Sequence, residues 1–250
     1  LSSIFSTIHE GGHAIYEQQI DDIVSETVLG EGTSMGIHES QSRIFENMFG
    51  RNINFLKNIF NKFDELFDVR SKGIEVEDFY KIVNTVSKSL IRIEADELTY
   101  PIHIMIRYEL EKEIFSNLDE IESSEYIDYL ANKWADMYEE FLGVRPTTNS
   151  EGILQDVHWS SGLFGYFPSY ALGSAYAAQI YNSMNKEFSI EENLSNGNFD
   201  NINSFLKDKI HKFGKSKTPN ELLILATGEA FNPDYYINYL KEKYRKIYGI

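Results

Sequence analysis

The segment Ile8-His9-Glu10-Gly11-Gly12-His13-Ala14-Ile15 decides how the rest of the chain is interpreted. It lies inside an apolar pattern that predicts a helix over 4–24, with Ser2 or Ser3 as its cap. The pattern rests on isoleucines at roughly helical spacing, namely Ile4, Ile8, Ile15, Ile20 and Ile23. Side chains four positions apart on a helix differ by about 40° around its axis, so the imidazoles of His9 and His13 face the same way.

This pair of histidines favours metal binding. Two imidazoles on one helix face suit two ligands of a tetrahedral zinc ion, and Glu10 beside them can take a proton from water that the metal activates. The alternative is an accidental pair on a solvated helix face. The glycines between the histidines argue against it, because each costs about 1 kcal/mol relative to alanine inside a helix. Close approach of another helix, or of substrate, would explain them.

The third ligand of a catalytic zinc should come from elsewhere in the chain. Such an ion usually has three protein ligands and one water. The extended metzincin motif would place glycine at position 16 and histidine at position 19, but these residues are Tyr16 and Gln19, so that class is excluded.

The segment 38–43 on the next predicted helix offers the best candidates for this ligand. Glu39 supplies a hard oxygen, and Arg43 one turn later can orient it. His38 competes with Glu39, because helix neighbours differ by only about 100° and periodicity cannot separate them. Glu31 and Glu46 are weaker alternatives, which we expect to be solvated or paired with Arg43.

The rest of the pattern predicts an all-α protein, a metallopeptidase-like bundle forming one helical region over 1–250. Strand-like alternation is scarce, and Pro101 should kink or end the third helical stretch. Further helices are predicted over 34–63, 76–93, 102–117, 124–142, 169–187, 201–213, 219–227 and 233–248. Glycines, prolines and aromatic residues between 143 and 168 predict a long loop, and long ordered loops in compact domains are often functional.

Composition limits the partners. The 250 residues carry 23 basic and 39 acidic side chains, a net charge of −16, so nucleic acid and anionic membranes are poor partners. The lack of cysteine excludes disulfides, thiolate metal sites and cysteine nucleophiles. We find neither a signal peptide nor an apolar run of about 18 residues that could span a membrane. Because the sequence begins with Leu1, we expect a cytoplasmic protein that lacks its amino-terminal part.

Several motifs together resemble one family. Besides the histidine segment they are Gly36-Ile37-His38-Glu39-Ser40-Gln41-Ser42-Arg43, Leu90-Ile91-Arg92-Ile93-Glu94-Ala95-Asp96-Glu97, and the spaced motif Gly152, Gln155, Asp156, His158 and Trp159. On these residues the sequence resembles the carboxypeptidase Taq family of metallocarboxypeptidases over nearly its whole length. The resemblance implies an all-helical, zinc- or cobalt-dependent and usually dimeric enzyme. The family's upstream Asp-x-Arg-x-Thr motif is absent, as is the amino-terminal half that forms one wall of its substrate groove.

The resemblance also implies site residues. His9, His13 and Glu39 would bind the metal, with His38 in a supporting position, and Glu10 would act as general base and proton shuttle. The segment from Gln155 through Asp156 to Trp159 is similar to the family element that recognises the substrate end.

The remaining needs of the reaction point to further candidates. We expect His158 to stabilise the oxyanion with Tyr166 as second donor, although His158 could simply pack beside Trp159. A carboxylate clamp calls for arginine, so Arg92 and Arg107 are candidates. Arg92 is preferred, with a structural ion pair to the acidic residues at 94 and 96 as its alternative. The carboxylate of Asp156 is predicted to orient His158 or a loop amide.

Three functions are consistent with the sequence. The first is a metal-dependent carboxypeptidase that removes residues from peptides with a free carboxyl terminus, with a homodimer implied. The second is a non-catalytic helical scaffold that binds metal, and the third is a metal-dependent endopeptidase with an open groove. The intact Glu10 argues against the scaffold, since a structural metal site has no use for a general base.

Overall fold

The computed structural model describes residues 1–120 and 123–250. Within them the chain forms α-helices, several 3₁₀ turns and one π-helix, without a strand, which confirms the all-α prediction. The α-helices are α1 (Ser2–Gln18), α2 (Asp22–Ser25), α3 (Met35–Arg43), α4 (Ile53–Phe67), α5 (Val76–Val83), α6 (Tyr100–Ser116), α7 (Ser124–Leu142), α8 (Pro168–Glu187), α9 (Ile190–Ser195), α10 (Asp200–Lys209), α11 (Pro219–Thr227) and α12 (Asp234–Tyr248). None of the described helices is both long enough and apolar enough to cross a bilayer.

The chain divides into two compact units. The first contains Leu1–Asn84 and Leu172–Ile250, and the second contains Thr85–Ala171. Helices α1 to α5 and α9 to α12 belong to the first unit, α6 and α7 belong to the second, and the division falls within α8. The description of 1–250 as one helical region with catalytic motifs stays a prediction from the sequence.

In the first unit, α1 packs closely against α3. A Cβ atom added to Gly12 would lie 2.6 Å from the carbonyl oxygen of Gln41 and 2.7 Å from the Cα of Ser42. Only glycine therefore allows this approach, which confirms helix contact as the reason for one of the two glycines. From the other side α8 approaches through Gly173, where an added Cβ would lie 2.6 Å from that of Glu39.

The second unit has its own core between α6 and α7. Leu110 of α6 is fully buried there with Trp134 and Tyr138 of α7, whose rings stack at 5.1 Å between centroids. Burying side chains of this size supplies roughly 1.5–3 kcal/mol each, so the helix pair has a substantial apolar core. The glycine-rich loop predicted over 143–168 belongs to this unit and contains one short 3₁₀ turn, Trp159–Ser161.

The prediction for Pro101 was wrong. The third helical stretch, expected over 76–93, is α-helical only over Val76–Val83, and Arg92–Glu94 forms a 3₁₀ turn. Pro101 stands in the first turn of α6, so it begins a helix instead of ending one. The first turn has no intrahelical acceptor for the amide hydrogen that proline lacks, and its fixed φ suits this position.

Other helix ends also differ from the prediction. Helix α1 begins after Leu1 without a side-chain cap, so neither predicted serine caps it. The stretch predicted over 34–63 is interrupted, since a π-helix at Ile44–Gly50 separates α3 from α4. The predictions near the carboxyl terminus were closer, because α11 and α12 start within one residue of the predicted positions.

Candidate functional site

The first unit brings together three side chains that the sequence singled out. One nitrogen of His9, one of His13 and one oxygen of Glu39 all lie within 4.8 Å of one another. The Nε2 atoms of the two histidines are 3.8 Å and 3.4 Å from Oε2 of Glu39. Two imidazole nitrogens and one carboxylate oxygen form a donor set that fits a zinc-like divalent ion and leaves a fourth position for water or substrate.

Neighbours on α3 hold the carboxylate of Glu39 in place. Nε of Arg43 donates to Oε1 at 3.0 Å, the contact expected one turn away, and Oγ of Ser42 donates to Oε2 at 3.3 Å. Burial raises the pKa of Glu39, but His13, Arg43 and His9 outweigh it and lower that pKa to about 2. Glu39 therefore presents a negative charge to the two histidines.

Glu46 lies behind His9 and outside the group of three. Its Oε2 is 2.9 Å from Nδ1 of His9, and its carboxylate is also paired with Arg43 and Arg51 at 3.5 Å and 3.3 Å. Burial raises the pKa of Glu46, whereas the hydrogen bond with His9 and the two arginines together lower it to about 2. The π-helix carries this residue, so α-helical periodicity alone would have misplaced it.

His38 lies behind His13 in a similar way. The Nδ1 atoms of the two rings are 2.7 Å apart, and Nε2 of His38 is 2.7 Å from Oε1 of Glu17. Neither His38 nor Glu46 belongs to the group of three. Glu31, the remaining alternative ligand, is exposed and forms an ion pair with Lys215.

Glu10 follows His9 directly on α1 and is exposed. Its side chain leaves the helix about 100° from that of His9. An exposed carboxylate beside a pair of metal-binding histidines is the arrangement in which a glutamate can act as general base.

Asp156 in the second unit is clamped between two arginines. Its Oδ1 accepts from Nε and Nη2 of Arg92 at 3.0 Å and 2.7 Å, and its Oδ2 accepts from Nε of Arg107 at 2.7 Å. Burial raises the pKa of Asp156, but the two guanidinium groups lower it further than burial raises it. Gln155 joins the cluster through Oε1, which accepts from the amide of Arg92 at 2.9 Å and from Nη2 of Arg107 at 2.8 Å.

This arrangement differs from the expectation for Asp156 and from the alternative considered for Arg92. Within the described residues, the carboxylate of Asp156 accepts hydrogen bonds from the two arginines and has none with His158 or with a loop amide. Arg92 pairs with Asp156 at 2.7 Å, not with the acidic residues at 94 and 96. The side chain of Arg107 is fully buried and that of Arg92 is 7% exposed.

His158 and Tyr166 meet in the loop of the second unit, with ring centroids 5.5 Å apart. Nε2 of His158 is 3.0 Å from the hydroxyl of Tyr170, and the ring packs against Phe167 at 4.4 Å. Burial lowers the pKa of His158 and nearby Arg92 lowers it further, so the ring is neutral near pH 7. Its Nδ1 is buried and has no hydrogen-bond partner among the described residues.

Sequence reasoning missed Glu111 of α6. This buried carboxylate accepts from Nε1 of Trp159 at 2.7 Å and from the amide of Gly165 at 3.1 Å, and thereby closes the loop between them. Trp159 belongs to the segment predicted to recognise the substrate end, but its indole N–H donates inside the unit. No local signal marks Glu111, because 48 and 54 residues separate it from its two partners.

An all-α chain with two histidines one turn apart, a glutamate between them and a carboxylate from a following helix has the kind of centre found in metallopeptidases. The sequence model of the carboxypeptidase Taq (M32) metallopeptidases matches residues 1–244, and the chain belongs to that family. The resemblance inferred from the motifs is thereby confirmed.

Individual relatives agree with this assignment. Carboxypeptidase 1 of Bacillus subtilis strain 168 is 49% identical over 248 residues, which are 99% of this chain and 48% of that protein. Thermostable carboxypeptidase 1 of Thermus thermophilus is 41% identical over 250 residues, again 99% and 48% of the two chains. The crystal structure of an M32 carboxypeptidase from Deinococcus radiodurans R1 superposes with a TM-score of 0.91 at 38% identity, covering 98% of this chain and 49% of that one. The chain spans about half the length of the curated relatives it matches.

Proposed function

We propose that this chain carries the metal centre of a carboxypeptidase that hydrolyses carboxyl-terminal residues from peptides. The observation that supports it is the group formed by His9, His13 and Glu39 within 4.8 Å, next to Glu10, in a chain of the M32 family. Membership in a metallopeptidase family implies a divalent metal. We propose Zn²⁺, with Co²⁺ as the alternative, because two imidazoles and one carboxylate suit both ions.

The residues of the chain divide the chemistry among them. When bound, the metal supplies a Lewis acid that polarises the scissile carbonyl and lowers the pKa of water. In the proposal, Glu10 accepts the proton of the attacking water and delivers it to the leaving amine. His158 and Tyr166 donate hydrogen bonds to the oxyanion.

In this proposal the residues around Asp156 have two roles, since some support the cluster and one binds substrate. The guanidinium group of Arg107 is used inside the second unit. It donates four hydrogen bonds, to Asp156, Gln155, Tyr138 and the carbonyl of His103, and its Nη2 also lies 2.6 Å from Oδ2 of Asp156. Arg107 and Asp156 therefore support the cluster, and Gln155 links it to Arg92. Arg92 is our candidate for the carboxylate of the substrate.

The free guanidinium capacity of Arg92 supports that choice. Its Nε donates to Asp156, one N–H of Nη2 donates to the same oxygen, and one N–H of Nη1 donates to the hydroxyl of Tyr100 at 3.0 Å. One N–H on each terminal nitrogen has no acceptor among the described residues, and two such groups can pair with a carboxylate. Trp159 lies in the loop that carries Asp156 and would contribute an apolar contact.

The decisive experiment compares Glu10→Gln with the unaltered protein. We expect release of carboxyl-terminal residues to stop, because glutamine cannot take a proton, while the protein still binds one equivalent of Zn²⁺ through His9, His13 and Glu39. Activity is measured as amino acid released from a peptide, and metal binding by competition with a coloured chelator. Unchanged turnover in Glu10→Gln would show that another group acts as base.

A second measurement separates the carboxypeptidase from the endopeptidase and the scaffold. A peptide with a free carboxyl terminus should be cleaved, whereas the same peptide with an amidated terminus should not, and a chelator should stop the reaction. Equal cleavage of both peptides would favour an endopeptidase.

We also propose a cytoplasmic homodimer. The family resemblance alone supports the dimer, and the location is carried over from the sequence analysis. Sedimentation of the purified protein tests the oligomeric state.

A further inference from the structure

The two histidine ligands of the proposed centre are supported in different ways. His9 contacts a carboxylate directly, since its Nδ1 lies 2.9 Å from Oε2 of Glu46. His13 reaches a carboxylate only through another ring, because its Nδ1 faces Nδ1 of His38, whose Nε2 lies 2.7 Å from Oε1 of Glu17. Glu17 is 39% exposed, so this second path runs from the metal centre to the surface.

The end of this path determines the direction of each hydrogen bond in it. An ionised carboxylate can only accept, so Glu17 requires an N–H on Nε2 of His38. A neutral imidazole carries one N–H, so in the neutral form of His38 its Nδ1 accepts from Nδ1–H of His13. Nε2 of His13 is left with its lone pair, and this is the atom that lies 3.4 Å from Oε2 of Glu39. With the ring of His38 neutral, this network is therefore compatible with the tautomer of His13 that can bind a cation.

We propose that Glu17 is a positioning residue for the metal centre and that it acts through His38 on His13. Glu46 has the same task for His9 without an intermediate. The inference rests on the proposed function, since it takes His9, His13 and Glu39 as the metal ligands. A group that fixes the tautomer and orientation of a ligating histidine typically changes metal affinity by about 10–100-fold when it is removed.

The surroundings of Glu17 separate this role from a purely structural one. Oε1 of Glu17 also accepts from the amide of Gly32 at 2.9 Å. The next residue of that segment has its own anchor, because the amide of Thr33 donates to the hydroxyl of Tyr16 at 3.2 Å. Removing the carboxylate of Glu17 therefore leaves the segment attached to α1, while His38 loses its acceptor.

The test measures metal binding and does not depend on peptidase activity. Zn²⁺ dissociation constants are obtained by chelator competition, and the visible absorption of the Co²⁺-loaded protein reports the ligand geometry. We expect Glu17→Ala to weaken Zn²⁺ binding about 10-fold or more and to alter the Co²⁺ spectrum. Glu17→Gln keeps an oxygen for Gly32 but loses the charge, so it should show a smaller loss in the same direction. Glu26→Gln, an exposed glutamate at the end of α2, should change neither readout.

A double-variant cycle tests whether Glu17 acts through His38. If it does, Glu17→Ala combined with His38→Ala should bind Zn²⁺ no more weakly than His38→Ala alone. Glu17→Ala combined with Glu46→Ala should multiply the two losses, because the two paths lead to different ligands. Losses from Glu17→Ala and His38→Ala that multiply, or Zn²⁺ affinity and a Co²⁺ spectrum unchanged in Glu17→Ala, would overturn the inference.

One further variant separates this inference from the proposed metal centre. His13→Ala should abolish tight Zn²⁺ binding. If it does so while Glu17→Ala has no effect, only the positioning role fails. If His13→Ala itself binds Zn²⁺ normally, the metal centre as proposed fails.

Discussion

Asp156 is the shared counter-charge of two buried arginines. Two guanidinium groups with little or no exposure to water take their counter-charge from its carboxylate, and the main-chain amide of Arg92 is held by neighbouring Gln155. Breaking a buried ion pair from one side leaves a charge without compensation, which costs about 3–5 kcal/mol. The cluster depends on the charge of Asp156 as much as on its hydrogen bonds.

We therefore expect Asp156→Asn to lower the free energy of unfolding by about 3–5 kcal/mol, measured by urea denaturation. The matched control is Asp136→Asn on α7, which breaks an exposed pair with Arg145 that is 2.6 Å long. An exposed pair contributes about 0–1 kcal/mol, so the control should change little. Equal effects of the two substitutions would contradict the role assigned to Asp156.

A second prediction for a single residue concerns His211 and the dependence of stability on pH. It is fully buried between Gln19 and Gln41, with each ring nitrogen 2.8 Å from a glutamine oxygen. Burial, with a smaller contribution from His38, lowers its pKa to about 3. Between pH 6.5 and pH 3 the unfolded chain thus binds a proton that the folded chain does not bind. Stability therefore falls as the pH falls, by about 1.4 kcal/mol per pH unit for this residue.

The measurement is urea unfolding at pH 7, 6 and 5 in the presence of chelator, so that metal binding does not contribute. His211→Gln should lower the dependence of the free energy of unfolding on pH by the contribution of one proton, about 1.4 kcal/mol per pH unit. This holds whatever the substitution does to stability at pH 7. Part of the slope should remain, because burial also lowers the pKa of His103 to about 3. A slope unchanged by His211→Gln would mean that the ring is protonated in the folded protein.

The contacts of the site that sequence analysis placed correctly are local in the chain. His9 and His13 share a face because of helix geometry, and Glu39 is held by Arg43 one turn away. The supporting carboxylates were beyond reach of such reasoning. Glu46 meets His9 across 37 residues and from a π-helix, and Glu111 meets its partners in the loop across about 50 residues. Contacts of that separation depend on packing that periodicity does not encode.

At the scale of elements, the two glycines of the metal-binding helix have different reasons. A Cβ at Gly12 would meet the backbone of α3, whereas a Cβ at Gly11 meets nothing within 4 Å. Gly11 instead borders a mainly apolar cavity of about 280 Å³, lined also by Ile8, Ile15 and Phe45. Packing therefore requires glycine at position 12 but allows a substitution at position 11.

Gly11→Ala should stabilise the protein by up to about 1 kcal/mol, since alanine is the better helix former and its methyl group has room. Gly12→Ala should destabilise it, because α3 must move away, and should weaken Zn²⁺ binding because Glu39 moves with α3. Thermal unfolding in chelator and Zn²⁺ titration measure the two effects. A destabilising Gly11→Ala would show that a methyl group at position 11 has less room than the structure indicates, and a neutral Gly12→Ala would show that the interface between α1 and α3 is looser than it indicates.

Helices were predictable where an apolar period ran without interruption, as in α7 and α11. The ends of the helices were less predictable, because the same residue type can either begin or end a helix. Pro101 can end a helix or begin one, and only the packing of α6 decides between them. The π-helix between α3 and α4 keeps apolar residues facing inward while it changes the period, so the sequence reads as one continuous helix over 34–63.

At the scale of the whole molecule, charge is the dominant property. The chain has 39 acidic and 23 basic side chains, so 39 − 23 leaves an excess of 16 negative charges. Local pairs such as Arg145 with Asp136 and Glu139 neutralise only part of the surface. Like charges spread over a compact surface repel one another, and unfolding relieves this repulsion.

Raising the salt concentration should therefore stabilise the protein. At 10 mM salt the Debye length is about 30 Å, which lets charges across a whole unit interact, and at 0.1 M it falls to about 10 Å. We expect the free energy of unfolding at pH 7.5 to rise by an amount on the order of 1 kcal/mol between 10 mM and 300 mM NaCl. Urea must be the denaturant, since guanidinium chloride is itself a salt. Choline chloride should have the same effect if screening is the cause, because screening depends on ionic strength and not on the kind of cation. A fall in stability with either salt would mean that the surface ion pairs contribute more than the net repulsion does.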